Sequence, residues 1–199
     1  TTASQCTAVG EGSMIALTTG DYNVAVGGQS LESITTQSYN TAIGFQALEE
    51  NTANSNTAVG YVALAANTTG IENVAVGHEA LDANTTGDEN TALGQSALTS
   101  NTTGDGNVGV GQDALFTNTT SSNNTAVGTN ALYYNTATSN TAVGAYAMDD
   151  NTTGAYNAAL GNNALGANTT GDNNTACGSD SLDVNTTGSH NTALGSSAL

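Results

Sequence analysis

A glycine returns at a nearly fixed interval along the whole chain: Gly10, Gly27, Gly44, Gly60, Gly77, Gly94, Gly111, Gly128, Gly144, Gly161, Gly178 and Gly195. The step is 17 residues, except for two steps of 16. A period of this length marks a repeat architecture, in which each unit buries apolar surface only against its neighbours. The unit reads N-T-A-V/L-G-x-x-A-L-x-x-N-T-T-G-x-x, and Asn90 to Gly104 is a clean copy. Both short steps lose one residue from the turn after N-T: Thr52-Ala53-Asn54-Ser55-Asn56 and Thr136-Ala137-Thr138-Ser139-Asn140. The flanking apolar pairs keep their register, as expected when solenoid turns absorb length changes.

The columns of the repeat predict its structure. A small residue and then Val or Leu precede the marker Gly, as in Ala58–Val59 and Ala92–Leu93. A second pair, Ala–Leu or Ala–Met, follows it, as in Ala63–Leu64 and Ala147–Met148. Two Gly per unit, with Asn and Thr between them, disfavour helix. Short β segments such as Thr57–Val59, parted by Gly- and Asn-rich corners, fit better. The fold expected is an all-β parallel β-solenoid, a β-roll of about twelve coils stacked on one axis over residues 1–199. Stacking places Thr18, Thr35 and Thr52 in one column and Asn40, Asn56 and Asn73 in another, which predicts side-chain ladders. The core is expected at Val59, Leu64, Val76, Leu81, Leu93, Leu98, Val110, Leu115, Val127 and Leu132, with the larger member of each pair inside the coil. Cys177 falls in the same apolar column and is expected to pack as a small hydrophobe, whereas Cys6 falls in an Asn column.

Energetics then favour association. About two large apolar side chains per coil, worth roughly 1.5–3 kcal/mol each, cannot order 17 residues alone. A strand apolar on both faces is usually covered on both. The Ala face is therefore expected to meet another copy. Thr1 opens within the N-T-T-G corner and Leu199 stops after an Ala–Leu pair, so the array is expected to belong to a longer fibre or to stack head to tail.

Composition narrows the function. Low hydropathy with a net charge of −17 usually reads as disorder, but a disordered chain has no need of a strict period. The chain has no Lys or Arg, which argues against nucleic acid and anionic membrane as partners. No run is apolar and long enough to span a bilayer. His78 and His190 lie in different columns, no Cys/His cluster exists, and the phosphate-cradling loop motif cannot form without Lys. A non-enzyme without cofactor is expected. The acidic columns Glu32, Glu49, Asp82, Asp149, Asp183 and Asp21, Asp88, Asp105, Asp172 read as a solvated face, with weak Ca²⁺ binding the most they would support.

Sequons recur at Asn67, Asn84, Asn101, Asn118, Asn123, Asn151, Asn168, Asn173 and Asn185, which makes these residues candidate glycan acceptors. A turn-and-ladder role explains the same N-T-T corners. Tyr133 and Tyr134 form the candidate contact patch.

The T-A-V-G-x-x-A-L core resembles the head repeats of trimeric autotransporter adhesins and is similar to repeats in phage tail fibres and bacterial surface proteins. That resemblance covers Thr7 to Leu199. It implies a trimeric β-roll exposed outside a cell or virion, structural or adhesive in role, with surface glycans or a host receptor as partners. The N-T-T-G corner makes the present unit longer than the adhesin repeat. The expected function is thus an extracellular fibre or adhesin-like shaft, self-associating laterally or head to tail. An ice-binding solenoid and a receptor-binding tail-fibre segment are the alternatives.

Overall fold

The computed structural model describes residues 2–199 and is all-β. Twelve three-residue strands, β1 (Thr7–Val9) through β12 (Thr192–Leu194), form one parallel sheet in sequence order. Each strand pairs with the next in unbroken register, for example Thr91↔Val108, Ala92↔Gly109 and Leu93↔Val110. Every coil of the solenoid contributes one strand, and the rest of the coil is turn. The two 16-residue coils keep the register, pairing Ala42 with Ala58 and Ala126 with Ala142.

The turn after the marker Gly carries two side chains in left-handed backbone, at φ 54 for both Ser96 and Leu98 in one coil. Alternating the backbone hand alternates the direction of the peptide groups. Gln46 N–H donates back to Gly28 O at 3.0 Å, while Leu48 N–H donates forward to Ala63 O at 3.1 Å. The turn therefore ladders to both neighbours although it is not a strand. A bulky residue in this region costs on the order of 1 kcal/mol, and the ladder on both sides holds it there. The marker Gly is required on two counts. Gly94 sits at φ +140, and a Cβ there would lie 2.5 Å from the carbonyl oxygen of Gly111 in the next coil.

The core is narrow and half polar. Its apolar half stacks the central Ala of each strand on the Ala–Leu pair of the turn: Ala92, Ala97 and Leu98 are fully buried, as are Leu64, Leu81, Leu115 and Leu132. Its polar half is two columns of buried Asn. In the first, each backbone N–H donates to the previous coil's Asn side chain, as Asn90 N to Asn73 Oδ1 at 2.9 Å. In the second, the amides bond one another, as Asn101 Nδ2 to Asn84 Oδ1 at 3.0 Å. The columns converge on one carbonyl per coil: Gly104 O accepts Asn90 Nδ2 at 2.7 Å and Asn101 Nδ2 at 3.0 Å. A Thr column runs alongside, with Thr102 Oγ1 donating to Thr119 O at 3.0 Å.

The exceptions obey the same geometry. Cys6 stands in the first Asn column, where its thiol lies 3.3 Å from Gly20 O and accepts Asn23 N–H at 3.5 Å. Leu17 and Ile34 occupy the second Asn column in the first two coils, and Ile34 is fully buried. At the second short coil, Asn135 Nδ2 bonds Ala137 O at 2.7 Å, and Asn118 Oδ1 is buried without a partner. Ile34 fills the corresponding place before the first short coil, where no acceptor is left to orphan.

The expected orientation of the strands is reversed. The central Ala points inward and the larger residues point outward: Val59, Val76, Val110 and Val127 are half-buried and Leu93 is exposed. Cys177, aligned with Leu160 and Leu194, also lies in this outward column and is only partly covered. The cause is space. Where Gly109 replaces the inward Ala, an added Cβ would already touch Leu98 Cγ and Ala114 O at 3.3 Å each. The turn's Leu fills the coil and leaves room for one methyl group, so Val does not fit inside.

This orientation makes a paired prediction. Ala92→Val should lower stability by about 1–3 kcal/mol through overpacking. Leu93→Ala, on the outer surface, should cost less than about 1 kcal/mol. Urea midpoints of the two variants check the assignment, and the opposite order would restore the larger residue to the interior.

Candidate functional site: the outer face of the sheet

The reversed strands give the sheet an outer surface of two side-chain columns. One runs Thr7, Val24, Thr41, Thr57, Val74, Thr91, Val108, Thr125, Thr141, Ala158, Thr175 and Thr192. The other runs Val9, Val26, Ile43, Val59, Val76, Leu93, Val110, Val127, Val143, Leu160, Cys177 and Leu194. Strands stack about 4.8 Å apart, so twelve of them span roughly 53 Å. No strand carries a charged residue, although the chain's net charge is −17. Val26, Ile43, Leu93 and Leu160 are exposed within this stripe. Around Ala158, the smallest residue of the Thr column, lies an apolar groove of about 280 Å³ lined by Thr141, Val143, Leu160, Thr175 and Cys177. The strip thus pairs a continuous apolar column with a Thr-rich one and is free of charge on an otherwise acidic protein.

The acidic residues lie on the turns. Asp21, Asp88, Asp105 and Asp172 keep contact with solvent and also serve as acceptors between coils: Ile71 N–H donates to Asp88 Oδ1 at 2.8 Å and Asp88 N–H to Asp105 Oδ1 at 2.9 Å. Among the described residues, no group of three or more His, Cys, Asp or Glu side chains is placed to hold a metal ion. Burial pushes the Asp82 carboxyl above its ordinary range. The Thr99 hydroxyl, which donates to it at 2.8 Å, pulls the other way, and the Glu79 charge adds to the rise. Asp149 is raised by burial and then by the neighbouring Asp150.

The predicted contact pair is part of a three-ring cluster. Tyr133 stacks on Phe116 with centroids 4.9 Å apart, and Tyr134 meets Tyr133 edge-on at 4.6 Å. Tyr22 stacks on Tyr39, and Phe45, Tyr61 and His78 form a ladder. These rings are therefore aligned between coils, whereas Tyr146 and Tyr156 belong to no such stack.

The sequons divide sharply. Asn67, Asn84, Asn101, Asn118, Asn151 and Asn168 are fully buried, and their amides are spent in the second Asn column. Asn185 is partly covered and bonded in the same way. A glycan on any of these amides would break the ladder. Only Asn123 and Asn173 are exposed. No family model, curated protein or solved structure matches the chain.

Two of these features generate a pH prediction. A carboxyl whose folded pKa is raised binds its proton more tightly in the folded state. It therefore favours folding as pH falls from neutral toward the ordinary value of 3.8, and opposes folding once ionised. Asp149→Asn should raise the melting temperature at about pH 7, with the difference closing near pH 4. Thermal melts followed by circular dichroism across that range check it. A lower melting temperature at neutral pH would contradict it.

Proposed function

We propose that this chain is a non-catalytic β-solenoid shaft of an extracellular fibre, associating laterally with further copies of itself through the outer face of its sheet. One observation carries the reading. Among the described residues the strands present an uncharged, partly exposed apolar stripe twelve residues long, while the carboxylates lie on the turns. Copies that each carry a net charge of −17 repel one another wherever those carboxylates meet. The outer sheet face avoids that repulsion and gains apolar burial. It also repeats at the coil spacing, so a second solenoid matches it row for row. A trimer is the assembly that the resemblance to adhesin heads favours, and attachment at a cell or virion surface follows from the same resemblance.

A second reading, an ice-binding face, is supported by the same columns. Eight of the twelve strands begin with Thr, next to an apolar column, on a grid of about 4.8 by about 6.6 Å. Val24, Val74, Val108 and Ala158 interrupt the Thr rows. A thermal-hysteresis measurement separates the two readings, and the fibre reading predicts no ice shaping.

The fibre reading predicts a discrete oligomer by sedimentation velocity at about 100 μM chain, well above a Kd of about 1 μM. The triple variant Val76→Glu, Val110→Glu, Val143→Glu places charges only on the outer column. It should sediment as a monomer with an unchanged circular dichroism spectrum. A wild-type chain that stays monomeric at that concentration would rule out lateral association.

A further inference from the structure

The first three coils carry a notch that the coils directly following fill with rings. The residue after the marker Gly belongs to a column that begins Glu11, Gly28, Phe45, Tyr61 and His78. The three rings stack along the solenoid, with centroids 5.8 and 5.1 Å apart and planes within 19°. The stack stops at Gly28, which has no side chain to continue it. In the adjoining column Gly12 stands where later coils carry Gln29 and Gln46. Two missing side chains on successive coils leave a cavity of about 470 Å³, lined by Phe45, Glu11, Glu32, Gln29 and Ile15.

Phe45 is backed by Tyr61 on one side and borders the cavity on the other, with 45% of its surface exposed. One coil on, Gln46 Nε2 closes onto Glu49 Oε1 at 3.0 Å. Among the described residues no such bond joins Gln29 to Glu32, so their polar ends are free for a ligand.

We infer that this notch binds a single pyranose ring of a neutral glycan. The coil spacing of about 4.8 Å matches the distance at which rings stack. A sugar lying on Phe45 would thus take the place that Gly28 leaves vacant in the column. Its C–H face covers the ring. Its hydroxyls donate to the Glu11 and Glu32 carboxylates and accept from the Gln29 amide. The volume falls within the range of small-ligand sites. Acidic sugars are repelled by the two carboxylates and by a chain without a single Lys or Arg. An organic cation could use the ring and the carboxylates, but it would leave the Gln29 donors idle. The site does not depend on the fibre reading, because all its residues belong to one chain and lie on the turns.

The test is saturation-transfer NMR on the full chain with the methyl glycosides of glucose, galactose and mannose, and with tetramethylammonium as the cationic probe. At least one glycoside should receive saturation at its ring C–H protons, with a Kd on the order of 1 mM. Gly28 has no left-handed φ, and a Cβ there meets the Phe45 ring edge at 3.3 Å, which a small turn of that exposed side chain relieves, and Glu11 O at an ordinary 3.8 Å. Gly28→Tyr should therefore fold, extend the ring stack and weaken binding by about tenfold or more. Phe45→Ala, at an outward position, should do the same by removing the platform. No transfer to any glycoside, binding by both variants as tight as by the wild-type chain, or tighter binding of tetramethylammonium than of every glycoside would each overturn the assignment.

Discussion

The fold depends on two asparagine amides, one from each Asn column, meeting at one backbone carbonyl. At Gly104 the donors are Asn90 and Asn101, and at Gly171 they are Asn157 and Asn168. A corner inside a narrow solenoid strands backbone polar groups away from water, and each unpaired group costs about 1–3 kcal/mol. The paired amides satisfy that carbonyl, tie each coil to the next and leave the acceptor oxygens for the following rung. Among the described residues the one buried side-chain atom left without a partner, Asn118 Oδ1, occurs where a coil is one residue short. With so little apolar volume per coil, the amide columns do the work that a wide hydrophobic core does elsewhere.

That dependence explains which parts of the structure were legible in the sequence. The Gly period, the strand at Thr57–Val59 and the Thr and Asn columns could be read directly, because ladders demand identical residues at identical steps. The sense of the strand could not. Ala92 and Leu93 are both apolar, and size suggested that Leu93 belonged inside. The turn decides otherwise, because Leu98 already fills the coil. Nothing local announces that Leu98 adopts left-handed backbone, which Leu avoids on its own. Tertiary hydrogen bonding imposes it, so the turn's packing role and the outward sheet face are hidden together. The sequons illustrate the reverse case. The N-T-T pattern at Asn84 matches an acceptor motif, yet its amide is part of the corner.

Inverting the strand changes the functional picture more than the fold. With the larger residues inside, the chain would offer an alanine strip. With them outside, it offers Val26, Ile43, Leu93 and Leu160 to a partner along a straight, uncharged row, next to turns that carry the chain's carboxylates. The two surfaces suit different tasks: the sheet is uniform from coil to coil and fits a repeating partner, while the turns vary and hold local features such as the notch beside Phe45. In the proposed fibre, a constant sheet face and variable turns would encode assembly and recognition separately.

The most direct measurement is NMR hydrogen exchange of the asparagine side-chain amides. If the double column holds the coils together, the Nδ2 protons of Asn73, Asn84, Asn90, Asn101 and Asn107 should exchange as slowly as the backbone amides of the neighbouring strands. Asn123 and Asn173, exposed in the same protein, provide the fast reference. Exchange of the column amides at the rate of those two would contradict the account, because the corners would then be open to water and something else would have to join the coils.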